Sequence, residues 1–239
     1  MQQLSDTRLT WAATRRSGGG AELRPRNSIG VSSCERAVTR PVLPYGSAMP
    51  MQPGRCTFGP DAGRITLRTH RDGLAAQAGH DLTIDASRWT GELVLATDLT
   101  PVSLSVKVDV GALVVREGTG GIKPLTDKDR REIAVTARKV LSADRYPEMT
   151  FAATDFEASP DGTGGVITGT LSLAGRSRPQ PLQVSQTAPE RYRATTTVRQ
   201  TEFGIKPYSG FLGALKVSDP VDVEVELDLG RISEQEPSE

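Results

Sequence analysis

Apolar and polar residues alternate with period two along most of the chain beyond residue 60. The clearest run is Val221–Leu229, where every odd residue is apolar and every even one acidic. Such a run forms a strand with one buried and one wetted face. Val102, Leu104, Val106, Val108 and Val110 repeat the pattern between Ser103, Ser105, Lys107 and Asp109. Weaker alternations run over residues 65–67, 82–84, 92–95, 149–151, 166–173, 182–184 and 193–203. Clusters such as Ser159-Pro160-Asp161-Gly162 separate most of them and read as turns. One segment departs from the rule. Between Thr126 and Leu141 there is no Gly or Pro, and Ile133, Ala134, Ala137, Val140 and Leu141 recur at helical spacing. Thr126 with Asp129 three residues on suits an N-cap, and Pro147 closes the segment. The pattern therefore predicts about eight strands and one helix, with the helix crossing between the fourth strand and the fifth. A sheet with one apolar face packs on another sheet or closes on itself. Closure removes exposed edges, and about eight strands enclose room for one small ligand.

Charge and composition narrow the classes. The 239 residues hold 29 basic and 29 acidic side chains, which excludes a strongly basic nucleic-acid coat. Aromatic residues make up 5%, too few for base-stacking platforms. No stretch approaches the roughly 20 apolar residues of a membrane-spanning helix, so an integral membrane segment is not expected. Cys34 and Cys56 are the whole cysteine complement, and two do not make a disulfide framework. The first 48 residues carry seven arginines, no lysine and three acidic residues, with glycine and proline breaking any regular element. Residues 1–50 are expected to be a disordered leader, or translation from a start placed upstream of Met49 or Met51. An organelle-targeting leader fits the arginine bias but lacks an amphipathic helix, and dispersed arginines make no nucleic-acid patch. The apolar run of a secretory signal is absent, so a cytoplasmic location is expected. Residues 51–230 are read as the barrel domain and 231–239 as a disordered tail.

A set of short motifs occurs in a telling order. Gly79-His80-Asp81-Leu82 is followed by Trp89-Thr90-Gly91-Glu92-Leu93, then by Asp127-Lys128-Asp129 and Asp144-Arg145-Tyr146-Pro147-Glu148-Met149-Thr150-Phe151. Next come Gly169–Pro179, with Gly169-Thr170-Leu171-Ser172-Leu173 leading into Gly175-Arg176, then Thr201-Glu202-Phe203-Gly204-Ile205 and the Val221–Leu229 run. Over about residues 60–230 this resembles the YceI-like family. The resemblance implies an all-β fold: an extended, eight-stranded antiparallel lipocalin-like barrel with one helix inserted between strands. Its long apolar tunnel would hold an isoprenoid or fatty-acyl chain, without a cofactor and without turnover.

An uncharged isoprenoid is held by burying CH₂ and methyl groups, each worth about 0.8 kcal/mol. Such a site needs many apolar side chains and few polar ones. The candidates are the inward members of the alternating runs: Leu82, Ile84, Leu93, Leu95, Leu104, Val106, Val108, Phe151, Leu171, Leu173 and Phe203. Ordinary core packing competes for each of them. In the stretch Lys206–Gly213, Tyr208, Phe211 and Leu212 are large apolar residues in a connecting loop, which suggests a lid over the barrel mouth or an edge cover. Tyr208 would offer a hydroxyl to a quinone or alcohol head. The Gly-rich stretch Arg116–Leu125 is read as a flexible insertion near that mouth.

Two other functions compete. His70 and His80, with Asp72 or Asp81, would supply ligands for zinc or non-haem iron if their strands are antiparallel neighbours, although no motif fixes a third ligand. The plainer alternative leaves His70 exposed and His80 bonded to backbone. No serine sits in a G-x-S-x-G context, and Gly118-Thr119-Gly120-Gly121 lacks the lysine-serine pair of a phosphate loop. The third function is a stress-linked interaction module whose barrel is filled by its own side chains. Oligomeric state, a homodimer included, is left open.

Overall fold

Period-two patterning becomes antiparallel sheet almost throughout residues 53–234, which the computed structural model describes. The strands are β1 (Gly54–Phe58), β2 (Gly63–Asp72), β3 (Asp81–Ala86), β4 (Trp89–Leu95), β5 (Pro101–Asp109) and β6 (Leu113–Thr119). Helix α1 (Asp127–Val140) follows, then β7 (Glu148–Ala158), β8 (Gly164–Leu173), β9 (Arg176–Ala188) and β10 (Arg191–Arg199). The chain continues through β11 (Ser209–Gly210), β12 (Leu215–Asp228) and β13 (Ser233–Glu234). The expected leader, with Met49 and Met51, and residues 235–239 of the expected tail lie outside the described residues. The sheet itself runs past residue 230, because β13 pairs with β1 through Cys56 and Thr57.

The eight-stranded closed barrel is corrected by this topology. One 13-stranded antiparallel sheet has the order β13-β1-β4-β5-β7-β8-β9-β10-β12-β2-β3-β6, with β11 added on β12. Eleven of these strands are longer than two residues. The sheet curls strongly into a half-barrel, and its two end strands, β6 and β13, do not pair with each other. Local alternation counts strands, but it carries no information about whether the first and last ones meet. Helix α1 packs against β6 and turns Ile133, Ala134 and Leu141 toward the apolar cluster beneath it.

Three irregularities shift the inward face. On β5, Val102 falls in a bulge between the pairs Val94↔Ser103 and Leu95↔Pro101, and it is exposed rather than inward. On β7, the register slips between Ala153 and Asp155, so Phe151 and Ala153 face in and then Phe156 does. The third slip, between Thr83 and Ile84 of β3, makes Arg116 the unpaired residue of β6. The stretch Arg116–Thr119 is therefore strand, not the first part of a flexible insertion.

The buried side chains form two clusters. One holds Phe151, Ala153, Ile167, Leu171, Leu173, Val198, Phe203 and Ile205. The other holds Ile65, Ile84, Ala86, Trp89, Val108, Leu113 and Val115. Burial of each Val, Leu, Ile or Phe stabilises the fold by roughly 1.5–3 kcal/mol before entropy is counted.

Candidate functional site

The clusters do not fill the space inside the curl. Two apolar compartments remain, of about 360 Å³ and about 180 Å³. The larger lies under α1 and is walled by the inner faces of β2, β3 and β12, with Ile133, Ala137 and Val140 of the helix closing one side. The smaller is walled by β5, β7, β8, β9, β10 and β12, and Phe58, Trp89 and Leu229 also line it. Ile65, Val108, Met149, Val198 and Val223 line both compartments and so form the partition between them.

The alternation places most of the predicted residues on these walls. Leu82, Ile84, Leu173 and Tyr208 line the larger compartment. Leu93, Leu95, Leu104, Val106, Phe151 and Leu171 line the smaller one, and Val108 lines both. Phe203 is different: it is almost fully buried but lines neither compartment, because the strand ends at Arg199 and residues Gln200–Phe203 turn as a 3-10 helix. Tyr208 stands at the rim, while Leu212 is fully exposed and reaches neither wall. The side chain of Phe211 lies outside the described set. The sequence reading missed α1 as part of the wall, and also Met149, Trp89 and the β12 series Val221, Val223, Val225 and Leu227. The signal for β12 was present in the cleanest alternation of the chain.

Polar groups near the cavity are mostly spent on the protein itself. Gln180 Nε2 donates to Thr196 Oγ1 at 2.6 Å, and Gln200 Nε2 donates to the Ser218 carbonyl at 2.9 Å. Arg71 Nη1 donates to the Gly79 carbonyl at 2.9 Å, and its Nε lies 3.8 Å from Asp81. Burial pushes the Tyr192 phenol up from its usual value, and the nearby Glu190 charge adds to this, so it stays protonated in the smaller compartment. One oxygen is left over. Among the described residues, Thr69 Oγ1 is the buried side-chain atom without a hydrogen-bond partner, and Thr69 lines the larger compartment. An orphaned hydroxyl in an apolar wall costs free energy unless something polar meets it.

The two histidines are not brought together. β2 and β3 are antiparallel neighbours, with Thr69 opposite Leu82, and continuing that register sets Arg71 opposite His80. His70 thus falls on the other face, where its Nε2 donates to Asp222 Oδ2 at 3.0 Å. His80 Nε2 donates to the Lys123 carbonyl at 2.8 Å. Among the described residues no three His, Cys, Asp or Glu side chains are grouped to hold a metal ion. No helix among them is long and apolar enough to cross a membrane.

A family model described as the YceI-like domain matches residues 63–229, which spans β2 to β12 and leaves out β1 and β13. The chain belongs to the YceI-like family. Several solved structures are similar to it at low identity. BcnA of Burkholderia cenocepacia is 14% identical, with a TM-score of 0.49 over 72% of this chain and 96% of that one. The Campylobacter jejuni YCEI protein is 15% identical, with a TM-score of 0.47 over 64% of this chain and 85% of its own. A polyisoprenoid binding domain from Saccharophagus degradans, implicated in plant cell wall breakdown, is 11% identical, with a TM-score of 0.44 over 74% and 97%. No curated protein matches the chain. The YceI-like match begins at β2 and ends at Leu229, so it takes in α1 and the residues of both compartments except Phe58.

Proposed function

We propose that this chain binds one long apolar lipid, a polyisoprenoid or isoprenoid quinone, across the two compartments and carries or stores it without turnover. The observation that carries the reading is the pair of apolar-walled compartments inside the half-barrel, where Gln180 and Gln200 are hydrogen-bonded within the protein and Thr69 Oγ1 is left without a partner. The larger volume falls in the usual range for small-molecule sites, roughly 300–1,000 Å³. Affinity in such a site is spread over many methyl and methylene contacts at about 0.8 kcal/mol each. The isoprenoid as ligand class rests on the family resemblance, and the apolar character rests on the walls. Thr69 Oγ1 offers a donor to a head-group oxygen in the larger compartment, with Tyr208 at its rim.

The test is native mass spectrometry of the purified full chain, followed by organic extraction and uptake of a polyprenol from detergent. One equivalent of hydrocarbon is expected to leave on extraction and to return on uptake. Val106→Asp and Leu171→Asp put a carboxylate into the smaller compartment and are expected to abolish uptake or folding, at a cost of about 3 kcal/mol. A parent chain that is empty as purified and takes up no polyprenol overturns the reading.

A further inference from the structure

Three segments meet at one end of the larger compartment. Residues 73–80 join β2 to β3, residues 120–126 join β6 to α1, and residues 204–214 lead from β10 into β12. The Ala75 amide donates to the Ala214 carbonyl at 2.8 Å, which ties the first segment to the third. His80 donates to the Lys123 carbonyl at 2.8 Å, which ties the first to the second. The fit is close: any side chain at Gly121, which has φ +72°, would collide with the His80 ring. His80, Gly79, Tyr208 and Leu215 line the compartment itself, so the tied segments are its rim.

Each segment holds one large apolar side chain out into solvent. Leu74 is 102% exposed, Ile122 79% and Leu212 109%. Leu74 stands beside Ala75, whose amide bonds Ala214, and Leu212 is two residues from Ala214. Ile122 sits between Gly121 and Lys123, the two residues against His80. Single exposed leucines are ordinary, but here three loops converge on the mouth of an apolar cavity and each ends in one. Tyr208 adds a half-exposed amphipathic ring at the same rim.

The charge around them is complementary to an anionic surface. Lys123, Lys206 and Lys216 are exposed in or beside these segments and have no ion pair among the described residues. Of the acids close by, Asp81 is paired with Arg71 and Asp127 with Arg130, whereas Asp72 and Asp129 keep their charge and accept from the Gly73 amide and from Thr126. Apolar tips backed by free lysines are the elements of interfacial membrane binding, in which side chains enter the acyl boundary while ammonium groups face phosphates.

We infer that this rim docks on an anionic lipid bilayer, with Leu74, Ile122 and Leu212 entering it and the three lysines on its head groups, so that ligand passes between bilayer and compartment without crossing water. The inference rests on the proposed lipid ligand, because a water-insoluble cargo has to enter and leave from a membrane. A second copy of the chain is the rival occupant of the same tips.

The test uses the full chain in flotation with vesicles of phosphatidylcholine containing about one third phosphatidylglycerol. The parent is expected to float with the vesicles, and the combined variant Leu74→Ser, Ile122→Ser, Leu212→Ser to lose at least about tenfold in partitioning. Melting should be unchanged, since fully exposed side chains contribute little to the fold. The combined variant Lys123→Gln, Lys206→Gln, Lys216→Gln should lose most of the anionic-vesicle binding at low salt and little of the weaker binding to pure phosphatidylcholine. Polyprenol uptake is measured in parallel from detergent and from vesicles. The serine variant is expected to load normally from detergent and at least about tenfold more slowly from vesicles. A serine variant that floats and loads like the parent overturns the inference, as does a parent that never floats. A parent that is dimeric in solution and becomes monomeric on the serine changes also overturns it, in favour of the second copy. Failure of uptake from detergent in the parent counts against the lipid ligand, whereas flotation reads the docking by itself.

Discussion

Asp222 shows how one side chain on the wet face of β12 serves the sheet. His70 Nε2 and Thr197 Oγ1 both donate to it, at 3.0 Å and 2.8 Å, bridging β2 and β10 across the strand between them. The His70 hydrogen bond, then the one from Thr197, holds the carboxyl below its ordinary value of 3.8, against a smaller opposing effect of burial. A carboxyl lowered on folding favours the native state above the unfolded value, and that contribution is lost as pH falls through the folded one. Both groups of the His70–Asp222 pair are 49% exposed, so solvent screens it and the contribution stays below about 1 kcal/mol. Asp222→Asn should therefore be less stable than the parent at pH 7, with the gap shrinking as pH drops below about 4. Urea unfolding at a series of pH values checks this, and a gap that is constant from pH 7 to pH 3 would contradict it. Single residues also explain two departures from sequence expectation. Val102 had the right parity but fell in a bulge, and Phe203 had the right chemistry but followed the end of its strand. Alternation assigns faces only while the ladder is unbroken.

Helix α1 was the most legible element, since its borders are written in local chemistry. Thr126 Oγ1 accepts from the Asp129 amide at 3.2 Å, and Asp129 Oδ2 accepts from the Thr126 amide at 2.8 Å, closing a capping box where the Thr-Asp spacing places one. Its role as a wall was not legible, because a 3.6-residue stripe states only that one face is covered, not what lies beyond it. β6 was illegible for the opposite reason. Its alternation stops after Val115 at the bulged Arg116, and Gly118 and Gly120 then resemble a loop. Thr126→Ala should cost about 1 kcal/mol by removing the cap, which lowers the melting temperature by about 2–4 °C. Because the helix closes one side of the larger compartment, the same change should speed hydrogen exchange in its first turn and shorten lipid residence. An unchanged exchange rate at Arg130 and Arg131, the first amides bonded within the helix, would show that the capping box does not hold the wall in place.

At the scale of the whole molecule, eleven of the fourteen predicted residues line cavity walls, ten of them placed by parity and Tyr208 by its loop, but parity carried no depth. Whether Leu104 and Leu173 share a compartment depends on how far the sheet curls and on which strands end the ladder, and pairing over long sequence separations decides both. The partition between the compartments arises only at this level. Four of its five residues, Ile65, Val108, Val198 and Val223, are β-branched and stiff at χ1. The fifth, Met149, is unbranched and adaptable, so it is the side chain best suited to yield to a chain threading from one compartment into the other. A ligand that occupies both volumes must pass it, whereas a short one needs only the larger. Met149→Trp adds bulk in the partition and should confine binding to short isoprenoids. Farnesol should bind within about twofold of the parent, and a long polyprenol should lose at least about tenfold. Met149→Ala opens the passage and should retain the long ligand, with a stability cost of about 2 kcal/mol from lost packing. Competition between farnesol and a long polyprenol, read by extraction and mass spectrometry, checks both variants. Equal retention of the long ligand by parent and Met149→Trp would mean that the chain lies in one compartment and never threads the partition.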